Sequence, residues 1–204
     1  TEPKIIEVLS SLGVKHIFPN VLEADDVLAW LVDNIDGYKT VVSGDHDMLQ
    51  LVDEDTSVWN LNRLTTLDTF LDHVGVLPEH FIHYKSIKGD NSDNINGLPG
   101  YGHVRASKLA TNWDSSNVSE EYTELIERNM KLVDLRYGFV IEPGESDAYE
   151  MQFTKENTIS NGNIAEFERV CRKYDLNKEL ERLSIWKTLI SKDTLVDIIN
   201  KLVN

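Results

Sequence analysis

Apolar positions along this chain recur with two periods. Ile5, Ile6, Val8, Leu9 and Leu12 share one helix face, and Gly13 follows as a stop signal. Val14 to Phe18 reads as a short strand. Val27, Leu28, Leu31, Val32 and Ile35 return to helical spacing after the acidic start Glu23-Ala24-Asp25-Asp26, and Gly37 closes that segment. Lys39 to Ser43 is a β-branched run suited to a buried strand. Gly44 to Asp47 is a turn, a helix through Leu49 and Leu51 follows, and Thr56 to Leu61 is a third strand. Strands alternating with helices predict a parallel sheet with right-handed crossovers.

Beyond residue 66 the pattern is helical. Helices are expected at Leu67–Val74, Pro78–Ile87, His103–Asn112 and Glu120–Leu135. A polar loop, Gly89 to Asn94, leads into the glycine-rich turn Gly97-Leu98-Pro99-Gly100-Tyr101-Gly102. Residues 136–162 hold Pro143, Gly138, Gly144 and Gly162 and read as a long irregular connection or lid. Ile164–Tyr174, Lys178–Ile190 and Thr194–Val203 are amphipathic helices.

The 204 residues are 41% hydrophobic, enough for a core and too apolar for a disordered chain. No run of about 18 apolar residues predicts a membrane span, and no secretory signal is visible. One cysteine, Cys171, excludes an internal disulfide and suits a reducing cytoplasm. The net charge of -15 argues, taken alone, against a nucleic-acid partner. Its distribution changes that reading. Residues 20–100 carry 15 acids against four bases, Lys39, Arg63, Lys85 and Lys88. Such an excess is either a solvated surface or a set of carboxylates converging on cations.

Three acidic clusters stand out: Glu23/Asp25/Asp26, Asp45/Asp47 and Asp90/Asp93. The first two follow predicted strands, where parallel α/β sheets bind ligands. Each has a plain alternative. Asp25 and Asp26 suit a helix start, and the other two clusters suit turns. A calcium loop beginning at Asp45 fails, because its sixth position is Gln50 and its twelfth Thr56. Taken together, these oxygen-only donors suit Mg²⁺ or Mn²⁺, and about seven carboxylates exceed what one such ion takes. Paired ions about 4 Å apart cleave phosphodiesters. The glycine turn lies between two helices. Its backbone can approach a phosphate closely, with Arg105 and Lys108 just beyond; a plain helix hairpin is the alternative.

These segments in order, Glu23-Ala24-Asp25-Asp26, Ser43-Gly44-Asp45-His46-Asp47-Met48-Leu49-Gln50-Leu51 and Gly89-Asp90-Asn91-Ser92-Asp93-Asn94-Ile95-Asn96-Gly97-Leu98-Pro99-Gly100-Tyr101-Gly102, resemble the 5′ nuclease (flap endonuclease) family. The resemblance covers roughly residues 5–135, and the remainder looks most like shorter phage-type members. It implies a parallel PIN-like α/β sheet followed by an all-α helix–three-turn–helix DNA-binding module. The corresponding boundaries are 1–76, 77–135 and a C-terminal region 136–204 packing on the nuclease domain.

Carried over to this sequence, Glu23, Asp25 and Asp26 match a first metal site, Asp25 acting behind the direct ligands. Asp45, Asp47, Asp90 and Asp93 match a second. Asp26, Asp45, Asp90 and Asp93 are the acids closest to catalysis, and two Mg²⁺ or Mn²⁺ ions are the expected cofactors. Gly97, Gly100, Tyr101, Gly102, Arg105 and Lys108 match the duplex-binding turn, often with K⁺. The implied substrate is DNA with a 5′ flap, branch or end, or an RNA–DNA hybrid, in the cytoplasm of a bacterial or phage-infected cell.

Two departures stand out. Val104-Arg105-Ala106 replaces the family's Lys-Thr-Ala, so Arg105 is expected to take over a phosphate contact. The family's first strand, with its Asp, and its basic arch do not precede Thr1. The sheet is therefore expected to be N-terminally incomplete, with activity restored by an upstream segment in cis or as a second chain. A DNA-junction binding module without catalysis is the alternative.

Overall fold

The computed structural model describes residues 2–17, 22–137 and 162–191. They form two units, residues 22–137 and residues 2–17 with 162–191.

In the larger unit, helix α2 (Ala24–Asn34) starts where Asp26 reaches back to accept the Glu23 backbone N–H at 2.9 Å. This reciprocal cap satisfies N–H groups that a helix start leaves open. Strand β1 (Lys39–Val42) pairs in parallel with β2 (Thr56–Trp59) from Lys39 opposite Thr56 to Val42 opposite Trp59. The crossover runs through a 3₁₀ helix, His46–Leu51, where a helix through Leu49 and Leu51 was expected. Met48 and Leu51 are both buried, three residues apart, and three residues per turn puts them on one face.

A short strand β3 (Leu64–Thr65) adds antiparallel to β2, so the three-stranded sheet is mixed. The β2 strand stops at Trp59, short of the expected Leu61. Asn60 Oδ1 accepts the backbone N–H groups of Asn62 and Arg63, and Leu61 sits at φ 70, which turns the chain.

Helix α3 (Leu67–Val74) ends on Gly75 in the left-handed region at φ 87. A 3₁₀ turn, Pro78–His80, then leads into α4 (Phe81–Lys88). Glycine brackets a two-stranded hairpin, β4 (Gly89–Asp90) with β5 (Ile95–Asn96). A Cβ on Gly97 would lie 2.1 Å from the Lys88 carbonyl oxygen, and one on Gly89 only 2.2 Å from the Gly97 nitrogen. No side chain fits at either foot.

Helices α5 (His103–Thr111) and α6 (Glu120–Val133) complete the unit. One core runs through it, from Val41, Met48 and Val58 to Phe70, Phe81, Ile87, Ala106 and Ile126. The Phe70 and Phe81 rings meet edge to face at 5.7 Å. Burial of each such aromatic ring contributes about 1.5–3 kcal/mol.

The smaller unit joins α1 (Glu2–Ser11) to α7 (Ile164–Lys173), α8 (Asn177–Glu181) and α9 (Leu183–Ser191). Asn163 caps α7 by accepting the Ala165 and Glu166 backbone N–H groups. Val14 does not start a strand. Its N–H bonds back to the Leu9 carbonyl at 3.0 Å, and residues 14–17 are irregular. Phe18 lies outside the described residues. The single helix expected over Lys178–Ile190 is broken at Arg182, where the Trp186 indole donates to Glu179 at 2.8 Å. The expected helix Thr194–Val203 and residues 138–161 of the expected lid also lie outside the described residues. Among those described, no helix is long and apolar enough to cross a membrane.

Candidate metal centre

The acidic clusters of the larger unit are placed by loops that follow β1, open α2 and close the β4–β5 hairpin. Asp47, Asp90 and Asp93 come together, with one carboxylate oxygen from each lying within 4.8 Å of the others. Asp45 caps the 3₁₀ helix by accepting the Asp47 N–H at 2.8 Å, which fixes the direction of that turn. Ser92 donates backbone and hydroxyl hydrogens to Asp90 and folds the hairpin tip around it.

The hairpin is anchored from behind. Asn129, fully buried on α6, donates to the Ser86 carbonyl at 2.9 Å and the Asn96 carbonyl at 2.8 Å. A buried amide so paired is costly to remove, and it ties the hairpin to α4 and α6. Gln50 likewise ties the 3₁₀ helix to the end of α6 through Val133 and Leu135.

Glu23, Asp26 and Asp45 spend carboxylate capacity on helix caps and are not part of that convergent group. Asp25 links the two groups electrostatically. Burial, then Asp45, Glu23, Asp26 and Asp93, push its carboxyl above the usual range. Asp90 goes the other way. Burial opposes its ionisation, but hydrogen bonds from Lys85 and Ser92 outweigh that and hold it well below the usual range.

Lys85 is the residue that sequence reasoning passed over. Its side chain is 7% exposed, and its ammonium contacts both Asp47 and Asp90, the latter at 2.7 Å. A signal was available. Lys85 stands four residues after Phe81 and one before Ser86, both buried, so a lysine occupies the inward face of α4. Lysine is almost never buried unless paired.

The glycine turn lies elsewhere on the same unit. Gly97 is accounted for by the foot of the hairpin. Gly100 has φ 79, and a Cβ on Gly102 would meet nothing within 4 Å. Tyr101 packs edge to face on Tyr122, and Arg105 donates to the Gly100 carbonyl at 3.2 Å. Arg105, in the first turn of α5, and Lys108, in its last, are both exposed. His103 bonds the Tyr84 hydroxyl at 2.9 Å, which seats the start of α5 on α4.

Residues 2–77 match the family model of the 5′-3′ exonuclease, N-terminal resolvase-like domain. Over these residues the chain resembles that 5′-3′ exonuclease family. It is 35% identical over 118 residues to DNA polymerase I of Mycobacterium tuberculosis, covering 53% of this chain and 13% of that protein. It is 35% identical over 117 residues to the 5′-3′ exonuclease of Bacillus subtilis, covering 53% of this chain and 40% of that protein. The chain thus spans less than half the length of either relative.

Two solved structures share the fold, which is PIN-like. A bacteriophage T5 protein co-crystallised with metal ions matches with a TM-score of 0.53 and 22% identity over 76% of this chain and 61% of that one. The bacteriophage T5 flap endonuclease, in a pseudo-enzyme–product complex with DNA and metal ions, matches with a TM-score of 0.51 and 23% identity, over 74% of this chain and 59% of that one.

Proposed function

We propose that this chain is the metal-binding and duplex-gripping part of a structure-specific 5′ nuclease, a hydrolase of phosphodiesters in DNA with a 5′ flap, branch or end. The observation that carries this reading is the convergence of Asp47, Asp90 and Asp93 within 4.8 Å, with a buried ammonium already among them. Hard oxygen donors around a cation suit Mg²⁺ or Mn²⁺, so the residues fit the group.

Asp47, Asp90 and Asp93 hold one ion in this proposal, and Glu23, Asp26 and Asp45 hold a second with them, directly or through water. Divalent ions there supply a water of lowered pKa and stabilise charge growing on the phosphate. Burial, and then the neighbouring acids, disfavour ionisation of Asp25. Asp45 holds the Asp47 turn, and Asn129 holds the hairpin that carries Asp90 and Asp93.

The Gly100–Gly102 backbone and the first N–H groups of α5 meet duplex phosphates, with Arg105 and Lys108 beside them and K⁺ at the turn. An RNA–DNA hybrid fits the same backbone contacts. The scissile strand needs more cations than residues 20–100 offer, with 15 acids against four bases. A segment bearing the family's first strand and basic arch, supplied in cis or as a second chain, raises cleavage in this account.

The test is cleavage of a 5′-flapped duplex in Mg²⁺ by the chain, alone and with such a segment, against Asp93→Asn. The variant loses about 10²–10³-fold in rate, the scale of one lost electrostatic stabiliser, and keeps duplex affinity. Equal cleavage by variant and unmodified protein refutes the assignment.

A further inference from the structure

We infer that Lys85 is the resident counter-cation of this centre: its ammonium holds Asp47 and Asp90 together and competes with a divalent ion for their oxygens, and so sets how tightly that ion binds. This positioning role rests on the metal reading above, but it concerns a residue that the acidic motifs do not contain.

Lys85 is 6% exposed, and its ammonium is in contact with Asp47 and 2.7 Å from Asp90. The same two residues supply two of the three oxygens that converge with Asp93. The cation is therefore inside the candidate site and not at its rim. Taking an ammonium out of water is costly and is offset only by close, well-placed partners. Here the partners are the carboxylates that an incoming ion needs.

Charge balance gives the arrangement its meaning. Three ionised carboxylates and one ammonium leave a net charge of about minus two, which one divalent ion neutralises. Without Lys85 the trio carries minus three. It then repels itself more strongly when empty and attracts a divalent ion more strongly when one arrives. A neighbouring charge in such a cluster shifts proton affinity by about one to three powers of ten, and a divalent ion feels the same field.

The position of Lys85 is fixed by the fold. Helix α4 is buried along Phe81, Tyr84, Ser86 and Ile87, and the Ser86 carbonyl is bonded by Asn129. The lysine stem is thus held with its ammonium aimed at the trio. A merely structural ion pair has the same geometry, but a different response to metal.

Two measurements separate these roles. In the unmodified chain, acylation of Lys85 read by mass spectrometry should rise when Mn²⁺ is added, because the ion loosens the ammonium from Asp47 and Asp90. In Mn²⁺ titrations read by electron paramagnetic resonance, Lys85→Met should bind the ion about tenfold more tightly than the unmodified chain. Lys85→Arg, which keeps the charge, should stay close to the unmodified value.

Unchanged Lys85 acylation overturns the inference even if Lys85→Met fails to fold. An unchanged Mn²⁺ affinity in a folded Lys85→Met chain overturns it too, while leaving the metal reading standing. If neither chain binds Mn²⁺, the metal reading and the inference fall together.

Discussion

Two charge clusters, one in each unit, are balanced differently. In the smaller unit Glu7 receives Arg169 at 3.2 Å, Lys173 at 2.7 Å and the Tyr174 hydroxyl. In the larger unit a single ammonium, Lys85, serves two carboxylates while a third, Asp93, stands beside them. Hydrogen bonds from Lys173, then Tyr174, hold the Glu7 carboxyl down at about 2. Arg169 also donates twice to Glu166, at 2.9 and 2.7 Å, so two carboxylates face two cations and the charges balance. The Glu7 cluster is a clasp between α1 and α7, complete without a ligand. The Asp47, Asp90 and Asp93 cluster has too little positive charge. The difference teaches that an uncompensated negative charge, more than the number of charged groups, separates a cation site from a structural clasp.

The largest expected effect comes from supplying the missing charge. Millimolar Mn²⁺ should raise the melting temperature of the chain, since an ion at 100 times its dissociation constant stabilises by about 2.7 kcal/mol. Calorimetric melting with and without the ion checks this. A shift of equal size in Asp90→Asn would break the comparison.

Next comes the clasp. Glu7→Gln should lower the melting temperature at neutral pH. The folded-state pKa of Glu7 is depressed from 4.5 to about 2, so its contribution is complete above about pH 4.5 and is lost as pH falls through about 2. The unmodified chain should therefore lose stability across that acid window, and Glu7→Gln should lose less. Melting curves at stepped pH decide it. Parallel pH profiles would mean that the clasp carries no linkage.

The smallest effect has the opposite sign. In metal-free buffer Asp93→Asn should raise stability by about 0.5 kcal/mol, because it removes one like charge from an under-compensated group. Urea unfolding with excess chelator measures it. Loss of stability there would show that Asp93 already has its counter-charge.

Much of this arrangement was legible in the sequence, for identifiable reasons. Lys39–Ser43 and Leu67–Val74 carry local patterns that packing then respects, and Gly75 takes the left-handed end that its position suggests. The acidic clusters were visible because acids one to three residues apart on turns are a local signal. Val14 was misread because an apolar run does not reveal that its N–H turns back to Leu9. Lys85 was passed over because its importance comes from Asp47, a residue 38 positions away on a different element. Glu7 was equally silent, since its partners lie more than 160 residues downstream. Gly97 was read as room for a phosphate, and the hairpin itself also leaves no space there for a side chain against the Lys88 carbonyl.

The most direct test of the central claim is calorimetric titration of Mn²⁺ into the unmodified chain, Asp93→Asn and Glu7→Gln at neutral pH. Submillimolar binding is expected for the unmodified chain and for Glu7→Gln, and binding at least about tenfold weaker for Asp93→Asn, which has lost one of three anionic ligands. Equal affinity in all three proteins would contradict the claim that Asp47, Asp90 and Asp93 form the cation site.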